Sequence, residues 1–214
     1  MKEKQENKRD LERTKNKILH AATAEFAENG LKGARVDAIA KRAKINKAMI
    51  YYIFGGKEDL HMAALKHIIE TKTRPLHTML SHRTVEPESL FEIINRYFDD
   101  IEELMEYSRI ILDDISTGAK ALQQLKAESP DLFNLLNDIS DILKNFMNAG
   151  EMYPMDPDIT VMAGLMLMVS FTCLRPYMNI MAGKGSEAHT NLSDPEKWRD
   201  FMVTLLTRVF TPAP

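Results

Sequence analysis

Apolar side chains recur at helical spacing almost from the start of the chain. From Asp10 to Asn29, the residues Leu11, Ile18, Ala22 and Phe26 predict one helix, and Gly30 stands where it would stop. Val36, Ile39, Ala40 and Ala43 then make one face of a short second helix, with Ile45 in the turn that follows. Lys47 to Phe54 reads as a third helix with Ile50 and Phe54 turned inward, closed by Gly55-Gly56. Lys57-Glu58-Asp59 opens a longer helix with an acidic first turn, as the helix dipole prefers, and Leu60, Ala64, Leu65, Ile68 and Ile69 continue it. Pro75 is expected to kink or end it. Later starts are marked by Glu86-Pro87, Ser129-Pro130 and Asp156-Pro157, where Pro suits the first helical turn. Ser193-Asp194-Pro195-Glu196 matches a capping box, after a loop beginning at Gly183-Lys184-Gly185-Ser186. No run alternates like a strand, so the pattern predicts an all-α fold of about nine helices.

The stretch from Val36 to Lys57 satisfies the demands of a helix-turn-helix. Val36, Ile39, Ala40 and Ala43 give the first helix its inner face, and Ile45 anchors the turn. The second helix must be narrow at its leading end to enter a major groove about 12 Å wide, which Asn46, Lys47 and Ala48 allow. Asn46 can also cap that helix. Lys47, Tyr51, Tyr52 and Lys57 offer donors to phosphates and base edges.

Charge supports this reading only when it is split along the chain. The net charge of the 214 residues is −3. Residues 1–60 hold 14 Lys/Arg against 9 Asp/Glu, and the remainder holds 14 against 22. A basic head on an acidic body points to a polyanionic partner for the head.

Within this frame the chain resembles the TetR family of transcriptional regulators. The resemblance rests on Thr14-Lys15, Ile18-Leu19-His20-Ala21-Ala22, Phe26-Ala27-Glu28-Asn29-Gly30, Ile39-Ala40-Lys41-Arg42-Ala43, and Tyr51-Tyr52-Ile53-Phe54 leading to Lys57-Glu58-Asp59-Leu60. It implies a three-helix DNA-binding head, a larger helical body, a homodimer, and repression relieved by a small ligand. The expected divisions are a flexible arm at 1–9, the DNA-binding head at 10–56, and a ligand-binding and dimerisation body at 57–214. Four positions depart from the family's usual residues: Lys44 and Ala48 stand where Gly is common, Ile53 where His is common, and Arg35 where Thr is frequent. The departures bear on which DNA is read. The expected DNA-contacting set is Arg35, Lys44, Asn46, Lys47, Ala48, Tyr51, Tyr52 and Lys57.

Two helices of the body are expected to pair with a second copy. The segment from Asp158 to about Met181 is apolar nearly all round, with Met162, Met166, Val169 and Cys173 in one stripe. The last helix carries Trp198, Phe201, Met202, Leu205, Leu206 and Val209 in a single broad stripe. Self-association through both covers them, giving an expected interface of Met162, Met166, Val169, Cys173, Trp198, Phe201, Met202, Leu205 and Val209. Such a dimer would read a near-palindromic operator in double-stranded DNA.

The middle helices hold large apolar residues in an acidic frame, and nine of the 14 methionines lie between Met147 and Met202. An adaptable, mostly apolar pocket follows, suited to a hydrophobic or amphipathic effector. Its candidate lining is Asn95, Phe98, Met105, Arg109, Asp113, Phe133, Met147, Met166, Thr172 and Arg175.

Catalysis finds no support. Asp113 and Asp114 are adjacent and would diverge by about 100° on a helix. The six histidines form no i, i+4 pair and have no cysteine partner, so neither a metal site nor a cofactor is expected. The single cysteine, Cys173, excludes an intrachain disulfide and fits a reducing cytoplasm. The least charged run, Ile159 to Leu174, is 16 residues, short of the roughly 20 of a membrane span. An activator, or a regulator without a ligand, is an alternative within the DNA-binding class; a helical protein-interaction module is a more distant one.

Overall fold

A computed structural model describes residues 2–81, 86–181 and 192–209. Among them lie ten α-helices: α1 (Lys2–Gly33), α2 (Val36–Ala43), α3 (Lys47–Phe54), α4 (Lys57–Ser81), α5 (Pro87–Asp99), α6 (Ile101–Ser116), α7 (Lys120–Glu128), α8 (Leu135–Asn148), α9 (Pro157–Met181) and α10 (Pro195–Val209). The described residues include no strand, and the fold is all-α. Ser129-Pro130 opens a short 3-10 turn, Pro130–Phe133, rather than an α-helix. The Gly183–Ser186 loop lies outside the described residues.

Two local expectations give way to context. Residues 2–9, expected as an arm, lie within α1. They contain Lys, Glu, Gln and Arg, good helix formers, and can extend a helix already nucleated by the buried Ile18, Ala22 and Phe26. The fourth helix also does not end at its proline but continues from Lys57 to Ser81 with Pro75 inside. By contrast Gly30 interrupts α1 as expected, with φ 63° and ψ 172°.

The chain divides into two compact units that do not follow chain order. One comprises Met1–Lys72 and Glu106–Pro130, the other Thr73–Met105 and Asp131–Pro214. In the first, α1 packs on α2 and α2 on α3. Ile18, Phe26, Ile39, Ile50, Leu60 and Leu65 are each 1% exposed or less, so the short helices rest on fully buried apolar residues. In the second, α8 packs on α9 and α5 on α10. One cluster joins Leu90, Leu143, Phe146, Met152 and Val161; another joins Ile94, Phe98, Phe171 and Met202.

Candidate nucleic-acid interface

The turn between α2 and α3 is fixed by backbone hydrogen bonds. Ile45 N–H donates to the Ala40 carbonyl at 3.0 Å and Lys44 N–H to that of Lys41 at 3.2 Å. This Schellman-type closure requires a left-handed residue, and Lys44 takes that role at φ 56°, ψ 47°. Where Gly would sit without strain, Lys44 pays a steric cost and places an exposed cation beside α3. Asn46 then caps α3: its Oδ1 accepts the Ala48 N–H at 2.9 Å. At the far end Gly55, at φ 89°, donates its N–H to the Tyr51 carbonyl at 2.9 Å.

On this scaffold Ile50 is fully buried while Asn46, Lys47, Ala48, Tyr51 and Tyr52 are exposed. Tyr52 is 80% exposed, which assigns it no packing role in this chain. Lys47 Nζ lies 2.8 Å from Asp37 Oδ1 and 5.9 Å from the centre of the Tyr51 ring. The hydrogen bond to Asp37 raises the Lys47 pKa, so the amine stays charged. Arg35 is exposed just ahead of α2; its backbone N–H donates to the buried Glu25 carboxylate at 3.2 Å. Lys57 is placed differently from the other cations. It is half-buried, and its Nζ donates to the carbonyls of Ala34 at 3.3 Å and Lys32 at 3.4 Å. Those bonds tie the start of α4 to the end of α1. Glu25, Asp37 and the Lys57 bonds were not legible in the sequence, because each partner lies ten or more positions away with no periodic signal.

The other sequence candidates scatter. Phe98 and Thr172 are buried in the second unit, where the Tyr97 hydroxyl meets Thr172 Oγ1 and the Met168 carbonyl. Burial pushes the Tyr97 pKa up to about 12, so it stays a neutral donor. Arg175 Nη1 lies 3.6 Å from Met105 Sδ, and its Nε donates to the Ser193 carbonyl at 3.1 Å. Met147 packs beside the Leu143 cluster, and Phe133 is half-buried. Asn95, Arg109 and Met166 are exposed instead of lining an interior. Asp113 belongs to the first unit, where its Oδ2 accepts the Leu31 N–H at 2.9 Å.

Within the second unit α9 and α10 carry a broad exposed apolar surface. Met162, Met166, Val169, Phe201 and Leu205 are all exposed, Met166 to 63%. Cys173 and Trp198 are half-buried, and Trp198 stacks at 4.9 Å on Phe171. Met202 is turned into the Phe98–Phe171 cluster and belongs to the core, not the outer stripe. The Val209 side chain lies outside the described residues. The length expectation for α9 is also corrected: Pro157–Met178, 22 residues, is long and apolar enough to cross a membrane by length and composition. Its isolated charges at Asp158 and Arg175 do not lower the average enough to shorten the span. Among the described residues no group of three His, Cys, Asp or Glu is arranged to hold a metal ion.

Comparison with known proteins agrees with the head geometry. Residues 18–64 match the model for bacterial regulatory proteins of the tetR family. An HTH-type transcriptional repressor of Streptomyces coelicolor is 48% identical over 58 residues, which are 27% of this chain and 30% of that one. The HTH-type transcriptional repressor NicS of Pseudomonas putida is 28% identical over 76% of this chain and 74% of its own. The HTH-type transcriptional regulator RutR of Escherichia coli K12 is 27% identical, spanning 67% of this chain and 66% of its own length. Among solved structures, the hemolysin II transcriptional regulator HlyIIR superposes with a TM-score of 0.66 at 21% identity, covering 94% of this chain and 98% of that one. The relatives are transcriptional regulators, not enzymes. With α3 capped and supported by buried residues, residues 18–64 form a head similar to that of the bacterial regulatory proteins of the tetR family.

Proposed function

We propose that this protein is a homodimeric, cytoplasmic repressor that reads a near-palindromic operator and leaves it when a small apolar or amphipathic molecule binds its body. The observation that carries the DNA reading is the exposed row on α3. Lys47, Tyr51 and Tyr52 point outward while Ile50 is fully buried beneath them. Lys44, Asn46, Ala48 and Arg35 flank that row, and a duplex laid on it meets donors for phosphate and base edges. Lys57 contributes mainly by holding the start of α4 to the end of α1.

The dimer is supported by the exposed apolar faces of α9 and α10. Burying Met166, Phe201 and their neighbours against a second copy removes apolar surface from water, worth about 25 cal/mol per Å². A two-fold pairing closes on itself and presents two heads to two half-sites. An apolar effector is supported by the aromatic interior around Phe98, Phe171 and Trp198, with Tyr97 and Thr172 as its polar groups.

The test is selection of bound fragments from genomic DNA by the purified full chain. Recovery of one near-palindromic sequence is the expected result. Retention of unrelated fragments in proportion to length would replace this reading with non-specific binding.

A further inference from the structure

The unit that contains the head holds a cavity of about 500 Å³ between the end of α1, the first turns of α4, the end of α6 and α7. Its charged groups divide by exposure. Lys32, Glu58 and Lys120 are exposed, whereas Asp113 is half-buried and Asp114 is 5% exposed. The Asp114 carboxylate accepts the N–H groups of Ala121 at 3.2 Å and Leu122 at 3.0 Å, at the start of α7. Asp113 Oδ2 accepts the Leu31 N–H, which leaves Oδ1 as an open acceptor. A Cβ at residue 30 would stand 3.1 Å from that oxygen, so Gly30 keeps the approach to it clear. Among the described residues no lysine or arginine pairs with either carboxylate.

His61 is a second, independent acceptor. It lines the same cavity, is 2% exposed, and its Nε2 has no hydrogen-bond partner. Phe26 packs edge-on against the ring at 4.9 Å, and burial favours the neutral imidazole. In one tautomer a neutral imidazole presents Nε2 as an acceptor. The open Oδ1 of Asp113 and the buried, unsatisfied Nε2 of His61, with the Asp114 charge beside them, match a ligand that carries several N–H donors.

We propose that this cavity binds a small organic cation, an amidinium or alkylammonium, that donates to Asp113 Oδ1 and His61 Nε2 above the Asp114 carboxylate. A bare metal ion fits less well, because the described residues include no group of three ligands arranged for one. The site is separate from the apolar interior around Phe98 and Phe171, which lies in the other unit.

The experiment is calorimetric titration of the full chain with benzamidine and with its neutral counterpart benzamide. Single-site saturable binding of benzamidine is expected, with benzamide at least about tenfold weaker. Asp113→Asn keeps an oxygen for the Leu31 N–H and should weaken benzamidine by about tenfold or more. A second readout needs no variant of the acceptors: with labelled methionine methyl groups, saturation should shift Met62, which lines the cavity. The proposal falls if benzamidine does not saturate, if benzamide binds equally, if folded Asp113→Asn binds unchanged, or if the shifts occur at other methionines but not at Met62. None of these outcomes touches DNA binding, which is measured with DNA alone.

Discussion

Lys47 on α3 and Asp37 on α2 face each other across the turn, with Nζ 2.8 Å from Oδ1. The pair is exposed and adds little to stability. Its effect is positional, because it holds the cation on the exposed face of α3, 5.9 Å from the centre of the Tyr51 ring. Replacing Lys47 by Ala should weaken operator binding and flatten its salt dependence. Each phosphate neutralised contributes about −0.9 to the slope of log K against log salt, so loss of one contact is readable. A filter-binding series with unchanged affinity and slope would remove Lys47 from the interface.

Lys44 separates folding from reading. At φ 56° it occupies a conformation that costs an L-residue roughly 1 kcal/mol relative to Gly. Lys44→Gly should therefore raise stability in urea by up to about 1 kcal/mol while lowering DNA affinity, because the exposed amine is lost. Higher stability with undiminished affinity would leave Lys44 without a role in binding.

The head was legible because its signals are local. Gly30, Asn46 and Gly55 act within a turn of where they stand, and the faces of α2 and α3 repeat over eight residues each. The body was less legible for the opposite reason. Met202 and Met166 share the same apolar character, yet packing against Phe171 buries one while the other stays 63% exposed. Asp113 was grouped with a body pocket on composition, but a bond spanning 82 positions ties it to Leu31. Nor does proline content alone end a helix: α4 continues past Pro75. Non-local contacts decide the Met202 and Asp113 outcomes, and no periodicity encodes them.

The exposed faces of α9 and α10 make a prediction that does not depend on DNA. Met166 is 63% and Phe201 52% exposed in the single chain, so a carboxylate at either position costs the monomer fold little. In a dimer the same charge would be desolvated, a cost of several kcal/mol. Light scattering at micromolar concentration should give a dimer mass for the natural chain and a monomer mass for Met166→Glu with Phe201→Glu. A monomer mass for the natural chain would refute the pairing, and a dimer mass for the double variant would move it to another surface.

His61 should make stability depend on pH in a definite direction. Burial lowers its pKa from the ordinary 6.5, and Asp114 and Asp113 on α6 only partly counter that. The other nearby charges, Lys32 of α1, Glu58 of α4 and Lys120 of α7, are exposed and more strongly screened. Above about pH 7.5 the imidazole is neutral in both folded and unfolded chains and contributes no pH dependence. As the pH falls from 6.5 toward the lower folded-state value, the unfolded chain takes up a proton that the folded chain resists. Stability is thus fully present above the unfolded pKa and is lost progressively on acidification. Urea denaturation between about pH 8 and pH 5.5 should show that loss for the natural chain and a shallower one for His61→Gln, which cannot titrate. The carboxylates are common to both proteins, so the difference between the curves isolates the imidazole. Parallel curves would mean that His61 keeps an ordinary pKa in the folded chain and does not resist protonation there.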